Sequence, residues 1–229
     1  MGKAGASASG FVKRNTKPAP ALRSETADRI LDLAERLIQT RGCSAFSYQD
    51  IADALKIRKA SIHYHFESKT DLVTAVVNRY TERFDAALKN IARDETATSM
   101  SMLEHYVEPY VAFAATPDRV CLCGALSGEM LALPPQLRER VARFFKAHQQ
   151  WLTQILKRGV ARGEFRLAES AAKTARLVFG ALQGALLVKR TTGDMTQLKD
   201  VVTALKAQLS VDRGGKAAGV RGLRKARKK

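Results

Sequence analysis

What this 229-residue chain has little of narrows its class early. It holds three cysteines, an odd number spaced as one plus a close pair, which does not suggest a disulfide framework. Aromatic residues make up 7% of the chain, with a single tryptophan, and no run approaches the roughly 20 consecutive apolar residues of a membrane span. The N-terminal region has no apolar stretch of the secretory kind, and Ala6 stands where a myristoylation motif needs Ser or Thr. The expectation is a cytoplasmic protein with no membrane partner. Strand-like alternation is also nearly absent: apolar residues recur at three and four, so the fold class is all-α. No Gly-rich phosphate loop, metal-ligand spacing or nucleophile motif occurs, so the sequence points to no enzyme, cofactor or metal.

Acid is missing from both ends. Residues 1–23 carry five basic side chains and residues 213–229 carry eight, with no Asp or Glu in either. The body between them has 26 basic and 22 acidic residues, so only +4 of the formal +17 belongs to it. Both ends are rich in small residues without apolar periodicity and read as flexible basic arms.

The body reads as a series of helices whose starts are marked by capping chemistry. Ser47-x-x-Asp50, Ser68-x-x-Asp71 and Ser101-x-x-Glu104 each pair a hydroxyl with an acid three residues on, and Ser24 opens a first helix that Gly42 ends. Later helices are expected over 71–92, 101–115, 119–132, 135–162, 168–190 and 194–210, with breaks at Pro117, Pro134-Pro135, Gly163 and Gly193.

Residues 47–66 divide into a short helix ending near Leu55, a turn, and a second helix from about Lys59, which is a helix-turn-helix layout. Ile51, Ala52 and Leu55 form the inner face of the first helix, Ile57 fills the turn, and Ile62 and Phe66 anchor the second. Arg58, Lys59, Ser61, His63, Tyr64 and His65 remain outward, a set of donors suited to phosphate oxygens and base edges in a major groove. Spacing alone leaves two readings open, a DNA-reading pair or an ordinary helix pair with a solvated basic face.

Ala52, the turn, Tyr64-His65-Phe66, Ser68-Lys69 and Leu72 resemble the N-terminal domain of the TetR family of transcription regulators, closely over residues 25–80. The resemblance implies a DNA-binding domain of three helices over 24–70, and a larger helical domain over 71–212 that binds a small effector and dimerises. It implies that Ser47 and Tyr48 lie where the first helix of the pair meets the DNA backbone. It gives Arg58, Lys59, Ser61, His63 and Tyr64 to the recognition helix, with packing an alternative for Tyr64 and His65, and assigns Lys69 to a phosphate. Two positions depart from the family pattern, Lys56 and Ala60, where glycine is common. Lys56 would cost about 0.5–1 kcal/mol if the turn demands a positive φ. The partners so implied are an operator in double-stranded DNA, a second copy of the chain and a small effector.

In the second domain, Gly180-x-x-x-Gly184 with Ala181 puts small residues on adjacent turns, fit for close approach by a partner helix or for tight packing within one chain. Trp151 and Ile155, on the helix over 135–162, are expected to complete a four-helix seam between two copies. Weakly polar and aromatic groups on apolar faces make the candidate effector pocket: His105, Tyr106, Tyr110, Phe113, Met130, Phe144, His148 and Phe179. The absence of a charge cluster among them favours a neutral or apolar effector. Cys121 and Cys123, two apart, cannot share one helix face. They are either inert core or, at a helix start, a reactive thiol that senses electrophiles or oxidants. The competing class is a nonspecific basic nucleic-acid-binding protein, which would explain the arms but not the large C-terminal body.

Overall fold

The computed structural model describes residues 25–211, so both basic arms and the Ser24 cap lie outside the described residues. Within them the chain forms α1 (Glu25–Arg41), α2 (Tyr48–Leu55), α3 (Lys59–His65), α4 (Lys69–Arg93) and α5 (Ser99–Ala114). It continues through α6 (Leu122–Ser127), a 3-10 turn (Met130–Ala132), α7 (Pro135–Ala161), α8 (Ala171–Thr192) and α9 (Gln197–Leu209). Extended pairing among the described residues is one isolated bridge, Phe165 with Ser210.

Two expected capping boxes form. The Ser47 and Ser68 hydroxyls accept from the N–H groups of Asp50 and Asp71, and each carboxylate accepts from its cap residue in return. The third does not. Asp94 accepts from the N–H groups of Thr96 and Ala97, and this turn delivers Thr98 as the cap, its hydroxyl accepting from Ser101 N–H at 3.0 Å. Ser101 is therefore inside α5. The helix expected over 119–132 is shorter too, because α6 ends at Gly128 and the chain tightens into the 3-10 turn. At the expected start of α9, Asp194 instead accepts from Thr196 N–H at 2.9 Å, which delays the helix to Gln197.

Lys56 caps α2 with φ 55°, the one non-glycine positive φ among the described residues. Its N–H reaches back to the carbonyls of Ala52 and Asp53, so the turn demands the left-handed conformation that the sequence made conditional.

α1, α2 and α3 close around Ile30, Ile38, Ile51 and Ile62, all fully buried, and α4 adds Leu72, Val73, Val76 and Val77 to the same core. That core continues into the C-terminal body, where α5, α6, α7 and α8 bury Leu103, Leu122, Val141, Leu152 and Leu182. Among the described residues the N-terminal helices and the C-terminal body share one cluster of buried side chains, to which α4 contributes from Leu72 to Leu88. α8 is apolar beyond the needs of this core: Leu177 is 57% exposed and Val188 44% exposed on its outer side.

Candidate nucleic-acid interface and regulatory core

α3 is seven residues long, held by buried Ile62 and by half-buried Phe66 at its end. Arg58, Lys59, His63 and Tyr64 point outward, Tyr64 86% exposed, with Ser61 partly covered. Arg58, Ser61, Tyr64 and His65 also line a concavity of about 400 Å³ against Thr26 of α1. His65 is half-buried with its ring against Tyr64 and Phe66, the packing alternative left open for it. His63 Nδ1 lies 3.2 Å from the Glu67 carbonyl, which fixes the ring on the outer face.

Two of the expected phosphate contacts sit differently. Tyr48 is 6% exposed, its ring is edge-on to His63 at 4.8 Å, and its hydroxyl donates to the Phe66 carbonyl at 3.0 Å. This bond ties the start of α2 to the end of α3. Burial, with the Asp71 charge nearby, pushes the Tyr48 pKa up to about 12, so the hydroxyl stays a donor. Lys69 is half-buried, with its ammonium donating to the Phe46 carbonyl and lying 4.3 Å from the centre of the Phe46 ring. One donor is thus engaged inside the chain, and two N–H remain for other acceptors. Ser47 is exposed at the α2 start.

Asp32 and Glu35 of α1 are met by arginines of α4. Arg79 pairs with Asp32 at 2.6 Å and approaches Glu35 at 3.6 Å, and Arg83 donates to Glu35 at 2.7 Å. The outward face of α3 carries no acid of its own.

In the C-terminal body, most of the candidate pocket residues converge. His148 is 1% exposed and packed at tilted angles among rings: Phe144 at 4.1 Å, Phe84 at 5.6 Å, Tyr106 at 5.7 Å and Phe179 at 6.0 Å. Its Nδ1 is 3.1 Å from the Tyr106 hydroxyl, which is 3.4 Å from that of Tyr110, which accepts from Gln183 at 3.3 Å. His148 Nε2 is buried without a hydrogen-bond partner among the described residues. Burial lowers the His148 pKa to about 4, so the ring is neutral near pH 7. A cleft of about 330 Å³ between α4 and α7, with Glu82, Asp85, Arg140 and Arg143 on its walls, shares Phe144 with this network.

Phe113, buried, packs under Arg119 rather than in the chain of rings around His148. His105 does not join the network: it is exposed on the outer side of α5, its Nδ1 2.8 Å from the Ser101 carbonyl. Met130 is half-buried in the 3-10 turn. Trp151 and Ile155 also differ from expectation. Trp151 stacks on Tyr106 at 5.3 Å and donates to the Leu88 carbonyl, and Ile155 is 6% exposed, so the face assigned to a seam between copies turns into the chain's own core. The sequence reading missed Tyr80, Phe84 and Gln183. The spacing of Tyr80, Phe84 and Leu88 by four on α4 was the available signal.

Cys121 and Cys123 are both buried, and Tyr80 hydroxyl donates to Cys121 Sγ at 3.5 Å. Burial pushes the Cys123 thiol well up, opposite to what a reactive thiolate needs. No cluster able to hold a metal ion occurs among the described residues. Gly180 and Gly184 lie on the outer side of α8, and a Cβ built on either would meet nothing within 4 Å. Packing within the chain does not account for them.

Comparison with known proteins agrees with this layout. Residues 30–76 match the model for bacterial regulatory proteins of the tetR family, and residues 99–205 match that for a tetracyclin repressor-like C-terminal domain. A transcriptional regulator structure from Agrobacterium tumefaciens is similar at 31% identity, covering 81% of this chain and 97% of that one, with a TM-score of 0.76. One from Legionella pneumophila is similar at 31% identity, over 82% of this chain and 99% of that one, with a TM-score of 0.74. Among curated relatives, the HTH-type transcriptional repressor DhaR of Mycobacterium sp. (strain GP1) is 25% identical over 79% of this chain and 91% of its own length.

Proposed function

Because the chain belongs to the TetR family of bacterial transcription regulators, we propose that it acts in the cytoplasm as a homodimeric repressor released from a palindromic operator by a small effector. The observation that carries this reading is α3 with its cap residue Arg58: Arg58, Lys59, His63 and Tyr64 point outward, Ser61 is partly exposed beside them, and all five can hydrogen-bond to phosphate or base edges. Dimerisation is supported by the outer side of α8. There Leu177, Gly180, Gly184, Leu187 and Val188 make an exposed apolar and small-residue stripe that a second copy would cover. Two recognition helices related by a two-fold axis enter successive major grooves when about 34–36 Å apart, which calls for a palindromic site.

The effector is proposed to bind at the His148 network. The network joins aromatic rings to the neutral polar groups of Tyr106, Tyr110, Gln183 and His148, and a neutral compound with an apolar body and one or two hydrogen-bonding groups matches that chemistry, entering from the neighbouring cleft that shares Phe144. A compound that prefers one separation of the reading heads shifts DNA affinity by about 5–150-fold for a coupling of 1–3 kcal/mol. The test is selection from a pool of random duplexes at fixed salt. Enrichment of an inverted repeat, bound far more tightly than its scrambled version, is expected; binding without discrimination would instead fit a nonspecific basic protein.

A further inference from the structure

Glu129 follows α6 in the regulatory body, yet its carboxylate is occupied by the reading head. Cys43 N–H donates to Oε1 at 2.5 Å, Ser44 N–H donates to Oε2 at 2.7 Å, and the Ser44 hydroxyl donates to the same oxygen. These groups belong to the connection between α1 and α2, just past Gly42, whose φ of 94° turns the chain. At the other end of the α6 segment, Val120 N–H donates to the Gln39 carbonyl at 3.2 Å and Arg119 Nε donates to the Gln39 side chain at 2.7 Å. The segment from Arg119 to Glu129 thus grips the end of α1 and the α1–α2 connection, while between those grips Cys121 meets the Tyr80 hydroxyl in the core.

We propose that Glu129 is a positioning residue for DNA binding: its carboxylate pins the α1–α2 connection, and with it the start of α2 and the attitude of α3, to the regulatory body. The proposal rests on α2 and α3 being the DNA-reading pair. Ala45 and Phe46 alone separate Ser44 from the Ser47 cap, and Phe46 is buried, so a shift of the connection is carried into α2 rather than absorbed. The carboxylate is held ionised for this task. Burial works against its charge, but the bonds from Ser44 and Cys43 and the nearby Lys69 ammonium keep its pKa below the ordinary glutamate value.

A purely electrostatic role has the opposite sign. Deleting an acid near a DNA-binding face leaves the protein more positive and tightens its hold on phosphates, whereas loss of the clasp weakens binding. The experiment uses the full chain with Glu129→Ala, Glu129→Gln, Ser44→Ala and the Ser44→Ala/Glu129→Ala pair. It reads affinity for the duplex that the unaltered protein enriches, at fixed salt, and amide exchange over residues 42–47. Glu129→Ala is expected to lower affinity about tenfold, the size of one charge-assisted hydrogen bond lost from the bound form, and to speed exchange at Cys43 and Ser44. Glu129→Gln keeps an acceptor oxygen and falls between. The double variant loses less than the two singles together, because both act on one contact. Equal or tighter DNA binding by Glu129→Ala overturns the proposal, and so does unchanged exchange at Cys43 and Ser44. If the unaltered protein enriches no duplex, it is the DNA reading that fails, and exchange still decides whether the clasp exists.

Discussion

Replacing His148 by Gln is expected to remove a distinct part of the protein's acid sensitivity. Burial among the rings of Phe84, Tyr106, Phe144 and Phe179 lowers the His148 pKa from 6.5 to about 4. The unfolded chain therefore takes up this proton first as pH falls, and the folded state loses stability relative to it. The contribution is whole above pH 6.5, declines below that value, and levels off beneath about pH 4. At about 1.36 kcal/mol per pH unit, the interval from 6.5 to about 4 amounts to about 3 kcal/mol, most of it gone by about pH 4.5. Gln keeps a neutral acceptor for the Tyr106 hydroxyl and cannot titrate. Carboxylates whose pKa is lowered in the fold, such as Asp50, Asp94 and Glu129, weaken both proteins alike as pH falls further. Urea unfolding at one protein concentration, at pH 7.5 and pH 4.5, isolates the histidine as a difference of differences. The unaltered protein should lose about 2–3 kcal/mol more than His148→Gln. Parallel losses would mean that His148 titrates as an exposed ring, and the closed aromatic network would be refuted.

Three further outcomes follow from the geometry. Lys56→Gly should raise stability by about 0.5 kcal/mol by relieving the positive φ, net of the freedom glycine gains when unfolded, and a lower thermal midpoint would contradict the strain. Arg58→Ala and Tyr64→Ala should each weaken binding to the selected duplex by about tenfold or more with the thermal midpoint nearly unchanged, since both side chains are outward; retained affinity would remove them from the interface. Gly184→Leu should leave helix content intact, because a Cβ there meets nothing within the chain, yet shift the sedimentation boundary towards monomer; an unshifted boundary would place the dimer face elsewhere.

Much of the fold that local chemistry decides was legible, the Asp94 and Asp194 turns before α5 and α9 excepted. The Ser47 and Ser68 boxes, the helix ends at Gly42 and Gly193, and the inward set Ile51, Ala52 and Ile62 all sit where short-range pattern put them. The misassigned faces of α7 and α5 have a common cause. α7 carries one apolar stripe, and periodicity alone cannot say whether that stripe meets the chain's own core or a second copy. Trp151 and Ile155 went to a seam between copies, although Tyr106, more than forty residues earlier in the chain, covers Trp151. His105 and Tyr106 are neighbours in sequence about 100° apart around α5, and only the packing of α7 against one of them separates pocket from surface. Glu129 gave no signal at all. It is a single acid in a loop, and its meaning comes from Cys43 and Ser44, which reach it across 86 and 85 positions of chain.

The most direct test of the account is a hydroxyl-radical footprint of the full chain on the duplex it selects, read together with the mass of the complex. The account predicts two chains per site and two protected half-sites related by a two-fold axis, their centres about 34–36 Å apart along the duplex. A single protected patch bound by one chain, or uniform protection that tracks added protein without preferred positions, would contradict it.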